Sequence, residues 1–299
     1  GGHGGGSMTS VALITIAHGR HAHLAGQICA LARSAVQPDH YFVVAMDDPG
    51  IQEVVGGGAG GAGATVIHVP ARPEHLPLSA ARNVGAAAAI AVGAEVLVFL
   101  DIDCLPAPGM LEAYVAAALD PTTRDDLLCG PVSYLPPPPG DGYNLDTLED
   151  VWTAHPARPA PAPGTVVRGG DAQLFWSLSF ALTAHTWQRI GGFCELYVGY
   201  GGEDTDFAQL AVTRGIELAW VGGARAHHQY HPTTSPPVQH VDAILRNGAI
   251  FHSRWGWWPM GGWLDAFETR GLVARTPDNA GWVRLAEPVP LSSNIANSN

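Results

Sequence analysis

The segment Gly199-Tyr-Gly-Gly-Glu-Asp-Thr-Asp206 sets three carboxylates directly behind a glycine-rich turn, at the start of a helical pattern. Glycines let backbone approach a ligand closely, and a helix N-terminus favours the negative charge of Glu203 and Asp204. A carboxylate so placed can take a proton from a hydroxyl, although an acidic N-cap explains the same residues taken alone. A second group is Asp101-Ile-Asp103, which closes an apolar run. Period-two geometry would send both side chains the same way, giving oxygen ligands for a divalent cation that bridges a diphosphate. By itself such a pair caps a loop about as readily. The third group, His227-His-Gln-Tyr-His231, packs three imidazoles into five residues. One histidine is usually structural. Three beside carboxylates form a mixed nitrogen and oxygen donor set that suits Mn, Zn or Fe better than Mg, with Mn2+ the first choice once Asp103 is included.

These groups need a scaffold, and the sequence describes one. Val11 to Ala17, His40 to Met46, Thr65 to Val69 and Glu95 to Leu100 are short apolar, β-branched runs of the kind buried on both faces of a parallel sheet. Helical patterns at Leu24 to Ser34 and Ser79 to Val92 separate them, and Val55 to Ala64 reads as a Gly/Ala-rich surface loop. The alternation predicts an α/β fold with a mostly parallel, doubly wound sheet. In such folds ligands bind beyond the carboxyl ends of the strands, where His18 to His23, Asp47/Asp48 and Asp101/Asp103 all fall. A helix over Pro108 to Leu119 and a strand over Leu127 to Tyr134 follow. Prolines then exclude regular structure from Leu135 to Thr165, a surface excursion of lid-like length. A strand over Phe175 to Thr183, a short helix near Trp187, a helix over Glu203 to Arg214 and a strand over Ile216 to Val221 come next. The helices Val238 to Trp255 and Trp257 to Arg270 form a helical C-terminal extension, whose tryptophans are more consistent with packing than with a sugar platform. The expected division is a tag scar at 1–7, a catalytic domain at 8–235 with halves 8–104 and 105–235, and the extension at 236–299.

Composition removes several classes. A formal charge of -12 with only 15 Lys and Arg in 299 residues does not suit nucleic acid or an anionic membrane surface. Cys29, Cys104, Cys129 and Cys194 lie far apart, without a C-x-x-C pair, which disfavours a zinc knuckle or disulfide framework. The run Val11 to Ala17 is too short to span a bilayer. A cytoplasmic location is the expectation, and oligomeric state is open.

Taken in order, strand-D-x-D, G-Y-G-G-E-D-x-D and H-x-x-H resemble the nucleotide-sugar glycosyltransferases of the GT-A fold, close to glycosyltransferase family 2. The acidic motif resembles the C-terminal region of galactosyltransferases and polypeptide N-acetylgalactosaminyltransferases. Ala226-His-His-Gln229 resembles the metal-binding end of bacterial chondroitin-type polymerases, and Leu78-Ser-Ala-Ala-Arg-Asn-Val-Gly85 resembles the A-R-N motif of the family. The resemblance implies Asp103, His228 and His231 as metal ligands, with His227 the lesser alternative. It implies Asp101 at the ribose or donor sugar and Asp47 at the uracil base. Arg82 and Asn83 would hold the donor nucleotide, and His18, Gly19 and Arg20 would line its pocket. Asp204 is implied as general base and Glu203 as an acceptor contact, while Asp206 reads as structural.

The activity implied is inverting, metal-dependent transfer from a nucleotide-sugar, UDP-linked by expectation, to an acceptor hydroxyl, with Mn2+ or Mg2+ as cofactor. The expectation is of a protein without the stem or membrane anchor of the Golgi enzymes, without a lectin domain and without the Q-x-x-R-W motif of processive synthases. A nucleotidyltransferase or a phosphate-ester hydrolase would share the sheet and the metal. The former calls for a basic glycine-rich loop after the first strand, of which His18-Gly-Arg-His21 is a poor version. A non-catalytic sugar-binding module is the remaining alternative.

Overall fold

In the computed structural model, residues 8–57 and 63–286 are described. The expected tag scar, part of the Gly/Ala-rich loop and the tail beyond residue 286 lie outside them. The chain divides into two compact units, one comprising residues through Gly199 together with Glu203–Pro232, the other Tyr200–Gly202 with the residues from Thr233 onward.

The first unit begins with β1 (Val11–Ala17), α1 (His21–Leu31), β2 (His40–Met46), α2 (Ile51–Gly57), β3 (Thr65–Val69), α3 (Leu78–Ala91) and β4 (Val96–Leu100). It continues with β5 (Cys104–Pro106), α4 (Met110–Leu119), β6 (Leu127–Cys129), β7 (Val132–Tyr134), β8 (Val166–Gly170), β9 (Ser179–Thr183) and α5 (Ala184–Ile190). It closes with α6 (Glu203–Thr213), β10 (Leu218–Val221) and β11 (Ala226–His228). The main sheet runs β3-β2-β1-β4-β9-β6-β10-β8. Its first four strands are parallel, whereas β9 runs antiparallel to both β4 and β6.

All of β1 is buried, which explains its unbroken apolar sequence. Each Val, Leu or Ile so covered contributes about 1.5–3 kcal/mol of burial free energy. α3 lies tightly over it: a Cβ at Gly85 would stand 2.4 Å from Ile14 Cγ2, so only glycine permits this approach of helix to strand. β10 pairs with β6 and β8, and a small second sheet, β5-β11-β7, stands apart from the main one. In it His228 pairs with Cys104, so the histidine segment lies against the residue that follows Asp103.

Several expectations change. The strand expected over Leu127 to Tyr134 breaks at Gly130-Pro131 into β6 and β7, which join different sheets; proline has no N–H for a ladder. Val55–Gly57 ends α2 rather than starting a loop. Phe175 precedes β9, which spans only Ser179–Thr183. The 135–165 excursion is partly built in: Leu148–Val151 forms a 3-10 turn, Leu135 and Leu148 pack with Ala30 and Leu105, and Arg158 is buried.

The second unit holds α7 (Val241–Trp255) and α8 (Gly261–Thr269), then a hairpin of β12 (Val273–Arg275) and β13 (Trp282–Arg284), so the extension is not wholly helical. Trp258 and Trp263 pack against its core of Val241, Ile244, Leu264, Phe267 and Val273. The Trp258 Nε1–H donates to the Ala280 carbonyl at 2.9 Å. Tyr200 stacks on His240 with ring centroids 4.3 Å apart. Among the described residues no helix is long and apolar enough to cross a membrane.

Candidate active site

The polar groups singled out above collect beyond the carboxyl ends of β1, β2 and β4, within the first unit. After β4 the chain turns at once, with the Cys104 N–H bonded to the Asp101 carbonyl at 2.9 Å. The strand geometry expected for Asp101 and Asp103 therefore does not hold. A turn sends their side chains to different partners, Asp101 toward Arg82 and Asp103 toward a group of histidines. Buried Gln27 on α1 fixes this turn by donating to the Asp101 carbonyl at 2.7 Å and the Cys104 carbonyl at 3.1 Å. Nothing in a helical glutamine marks that role in the sequence.

Asp103 is 5% exposed. Arg20 donates to its Oδ2, and His231 Nε2 and His228 Nε2 stand 3.6 Å and 3.9 Å from the same oxygen. One ligand atom from each of Asp103, His228 and His231 lies within 4.8 Å of the others. A carboxylate oxygen and two imidazole nitrogens at this spacing fit a divalent transition ion. Burial pushes the His228 pKa down to about 4; Asp103 opposes this, whereas His231, Arg20 and His23 reinforce it. The ring is thus neutral near pH 7 and keeps a lone pair for a cation.

Strand alternation separates His227 from this group. His227 is buried, its Nε2 2.7 Å from Glu149 Oε1, and it ties the 3-10 turn of the excursion to β11. His23, to which the sequence assigned no individual role, stands at the cluster, its Nδ1 3.0 Å from Asp103 Oδ1.

Around the first loop, His18 Nδ1 lies 2.7 Å from the Met46 carbonyl, and the Gly19 N–H donates to Asp48 Oδ2 at 2.7 Å. Gly19 and Arg20 both adopt positive φ, +61° and +49°, which turns Arg20 back toward Asp103. Asp47 is exposed at the end of β2, also at positive φ. Its neighbour Asp48 organises the loop, accepting from Gly19, from the Gly50 N–H at 3.1 Å and from His21 Nε2 at 2.8 Å. Burial raises the Asp48 pKa, but these bonds and the His21 charge outweigh it and hold the carboxyl below its usual range.

Arg82 is 5% exposed on α3. Its Nη2 stands 3.9 Å from Asp101 Oδ1, its Nη1 3.6 Å from Glu203 Oε1, and its guanidinium lies over the Phe193 ring. It joins the carboxylate turn after β4 to the acidic start of α6. Asn83, next to Arg82, engages the loop before the acidic motif: its amide donates to the Phe193 carbonyl at 2.9 Å and accepts from the Phe193 N–H at 2.9 Å. Both ends of the side chain are engaged in holding the loop before the acidic motif.

Glu203 is buried and faces Arg82, and its Oε2 has no hydrogen-bond partner. Burial, then the Asp204 charge, raise its pKa to about 7 against the pull of Arg82. Asp204 is half-buried. Its carboxylate accepts from the Thr205 N–H at 2.8 Å. Burial still raises its pKa, with Arg82 and nearby backbone N–H groups opposing. Asp101 rises to about 6 by burial, opposed by Arg82, with the Asp103 and Asp204 charges adding to the rise. Asp206 is fully buried and accepts from the Tyr197 hydroxyl at 2.8 Å.

Comparison with known proteins bears on the fold. Residues 171–232 match the family model described as the N-terminal domain of galactosyltransferase. No curated protein matches the sequence significantly. Among solved structures, GalNAc-T7 crystallised with UDP, GalNAc and Mn2+ superposes with a TM-score of 0.56 at 16% identity, covering 82% of this chain and 50% of that one. S. aureus TarS 1-349 in complex with UDP-GlcNAc superposes with a TM-score of 0.54 at 12% identity, covering 76% of this chain and 60% of that one. The chain spans about half to three-fifths of the length of these two structures. It has the GT-A fold of nucleotide-sugar glycosyltransferases. The segment that matches the galactosyltransferase model contains the acidic motif and the histidines.

Proposed function

We propose that the chain is an inverting, divalent-metal-dependent glycosyltransferase that moves a sugar from a UDP-sugar to the hydroxyl of a glycan, glycolipid or small-molecule acceptor. The observation that carries this reading is the bridge made by Arg82 between Asp101 and Glu203, which ties the turn that carries Asp103, a member of the cation-type donor set, to the start of α6, where Asp204 lies.

Asp103, His228 and His231 are the residues to hold the cation, Mn2+ by preference. When bound, a divalent ion supplies Lewis-acid neutralisation of charge on the departing diphosphate. Arg20 and the first loop border the nucleotide, and Asp101, with a third of its side chain exposed, faces the donor sugar. Asp204 accepts the proton of the acceptor hydroxyl as that oxygen attacks the anomeric carbon from the face opposite the leaving group. The Thr205 N–H on Asp204 fixes its direction, and its raised pKa increases its proton affinity; geometry and basicity act together in a general base. Arg82 and Glu203 position the acidic turn, and Asn83 holds the loop before it.

A panel of UDP- and GDP-sugars, assayed for binding and transfer with Mn2+ and with excess EDTA, tests the reading. Binding and transfer of a UDP-sugar that EDTA abolishes is the expected result. Full transfer in excess EDTA would overturn the metal assignment, and turnover of a nucleotide triphosphate instead would favour a nucleotidyltransferase.

A further inference from the structure

His228 ends β11, and His231 follows it in a stretch without regular structure. A helix would hold two ligands at i and i+3 side by side through its own backbone bonds. Here the segment between them is held from outside. The Gln229 N–H donates to the Asp103 carbonyl at 2.8 Å, which joins the two ligand-bearing segments directly. The other contacts come from the 135–165 excursion. The His228 carbonyl accepts from the Leu135 N–H at 2.9 Å, and the Tyr230 N–H donates to the Tyr143 hydroxyl oxygen at 3.0 Å. That hydroxyl donates in turn to the Pro136 carbonyl at 2.6 Å, so its one proton is committed and its lone pairs are left for Tyr230. Tyr143 is seated by packing, with Leu145, against the cluster of Ala30, Leu105, Leu135 and Leu148. Glu149 Oε1, 2.7 Å from His227 Nε2, anchors the other end of the histidine segment.

We infer that Tyr143 is a positioning residue for the cation site: through the Tyr230 N–H it sets the spacing of His228 and His231, and the part of the excursion that carries it is a brace for that site. Ligands already spaced for an ion lose less freedom when it arrives, so the brace raises affinity without adding a ligand. Tyr143 acts through the backbone between the two histidines. The inference rests on the cation site of the proposed transferase and deepens it.

The test is titration of the full chain with Co2+ alone, followed by calorimetry and by the visible ligand-field bands, in wild type and in Tyr143→Phe, which removes only the hydroxyl. Loss of one such bond is expected to weaken Co2+ by more than about twofold. The thermal midpoint without metal is expected to stay unchanged, because water can solvate the N–H of exposed Tyr230. The Mn2+ concentration for half-maximal sugar transfer is expected to rise by the same factor, while kcat at saturating Mn2+ changes less. Co2+ affinity in the variant within twofold of wild type would overturn the inference, as would a fall in kcat with an unchanged Mn2+ requirement. A wild type that binds no Co2+ would overturn the cation site along with it, whereas Co2+ binding that the variant leaves intact overturns the role of Tyr143 alone.

Discussion

Arg82 Nη1 stands 3.6 Å from Glu203 Oε1, and both side chains are almost wholly buried. The guanidinium balances a carboxylate that burial and the Asp204 charge drive toward protonation. Removing one partner of a buried pair leaves the other uncompensated. Arg82→Ala is expected to cost about 3 kcal/mol at pH 8 and measurably less at pH 6, where Glu203 can take a proton instead. Denaturant unfolding at the two pH values measures the difference.

Glu203 gives a pH prediction of its own. Its folded pKa of about 7 lies above the ordinary 4.5, so the folded chain binds the proton more tightly than the unfolded one. The associated stability is complete below about pH 4.5 and is lost as pH rises through about 7. Glu203→Gln is expected to flatten the thermal midpoint between pH 5 and 8 and to exceed wild type at pH 8. A wild type that gains on the variant over this range would show that Arg82 keeps Glu203 ionised.

Arg20 and a cation draw on the same carboxylate, because Arg20 donates to Asp103 Oδ2 beside His228 and His231. Its side chain is 40% exposed, so the competition is partly screened. Arg20→Gln is expected to tighten Mn2+ binding by roughly two- to fivefold while weakening UDP binding. Calorimetry with each ligand reads both, and unchanged Mn2+ affinity would contradict the competition.

The parallel half of the sheet was legible because strands buried on both faces must be apolar throughout: β1 and β2 fall where the sequence placed them. Three-residue strands carry too little pattern to be read, which hid β5 and β11, although their pairing brings His228 to Asp103. β8 is mostly exposed and ends in glycine, so its alternation is weak. At the site, residue types and order gave the candidates, but partners needed the third dimension. Asn83 and Glu203 read as ligand contacts, and their protein partners, the loop at Phe193 and the Arg82 guanidinium, come from distant segments. Gln27, Asp48 and His23 act through contacts with distant segments, which no local spacing announces.

The role of Asp204 as general base is tested most directly by the rate of sugar transfer in Asp204→Asn. The substitution keeps shape and removes the proton acceptor, so kcat is expected to fall by about a hundredfold or more, with Mn2+ and UDP-sugar affinities close to wild type. In wild type, the rate should fall with decreasing pH through a pKa above the usual aspartate range, because burial raises that of Asp204. A variant that transfers sugar at the wild-type rate would contradict the assignment of Asp204 as the base.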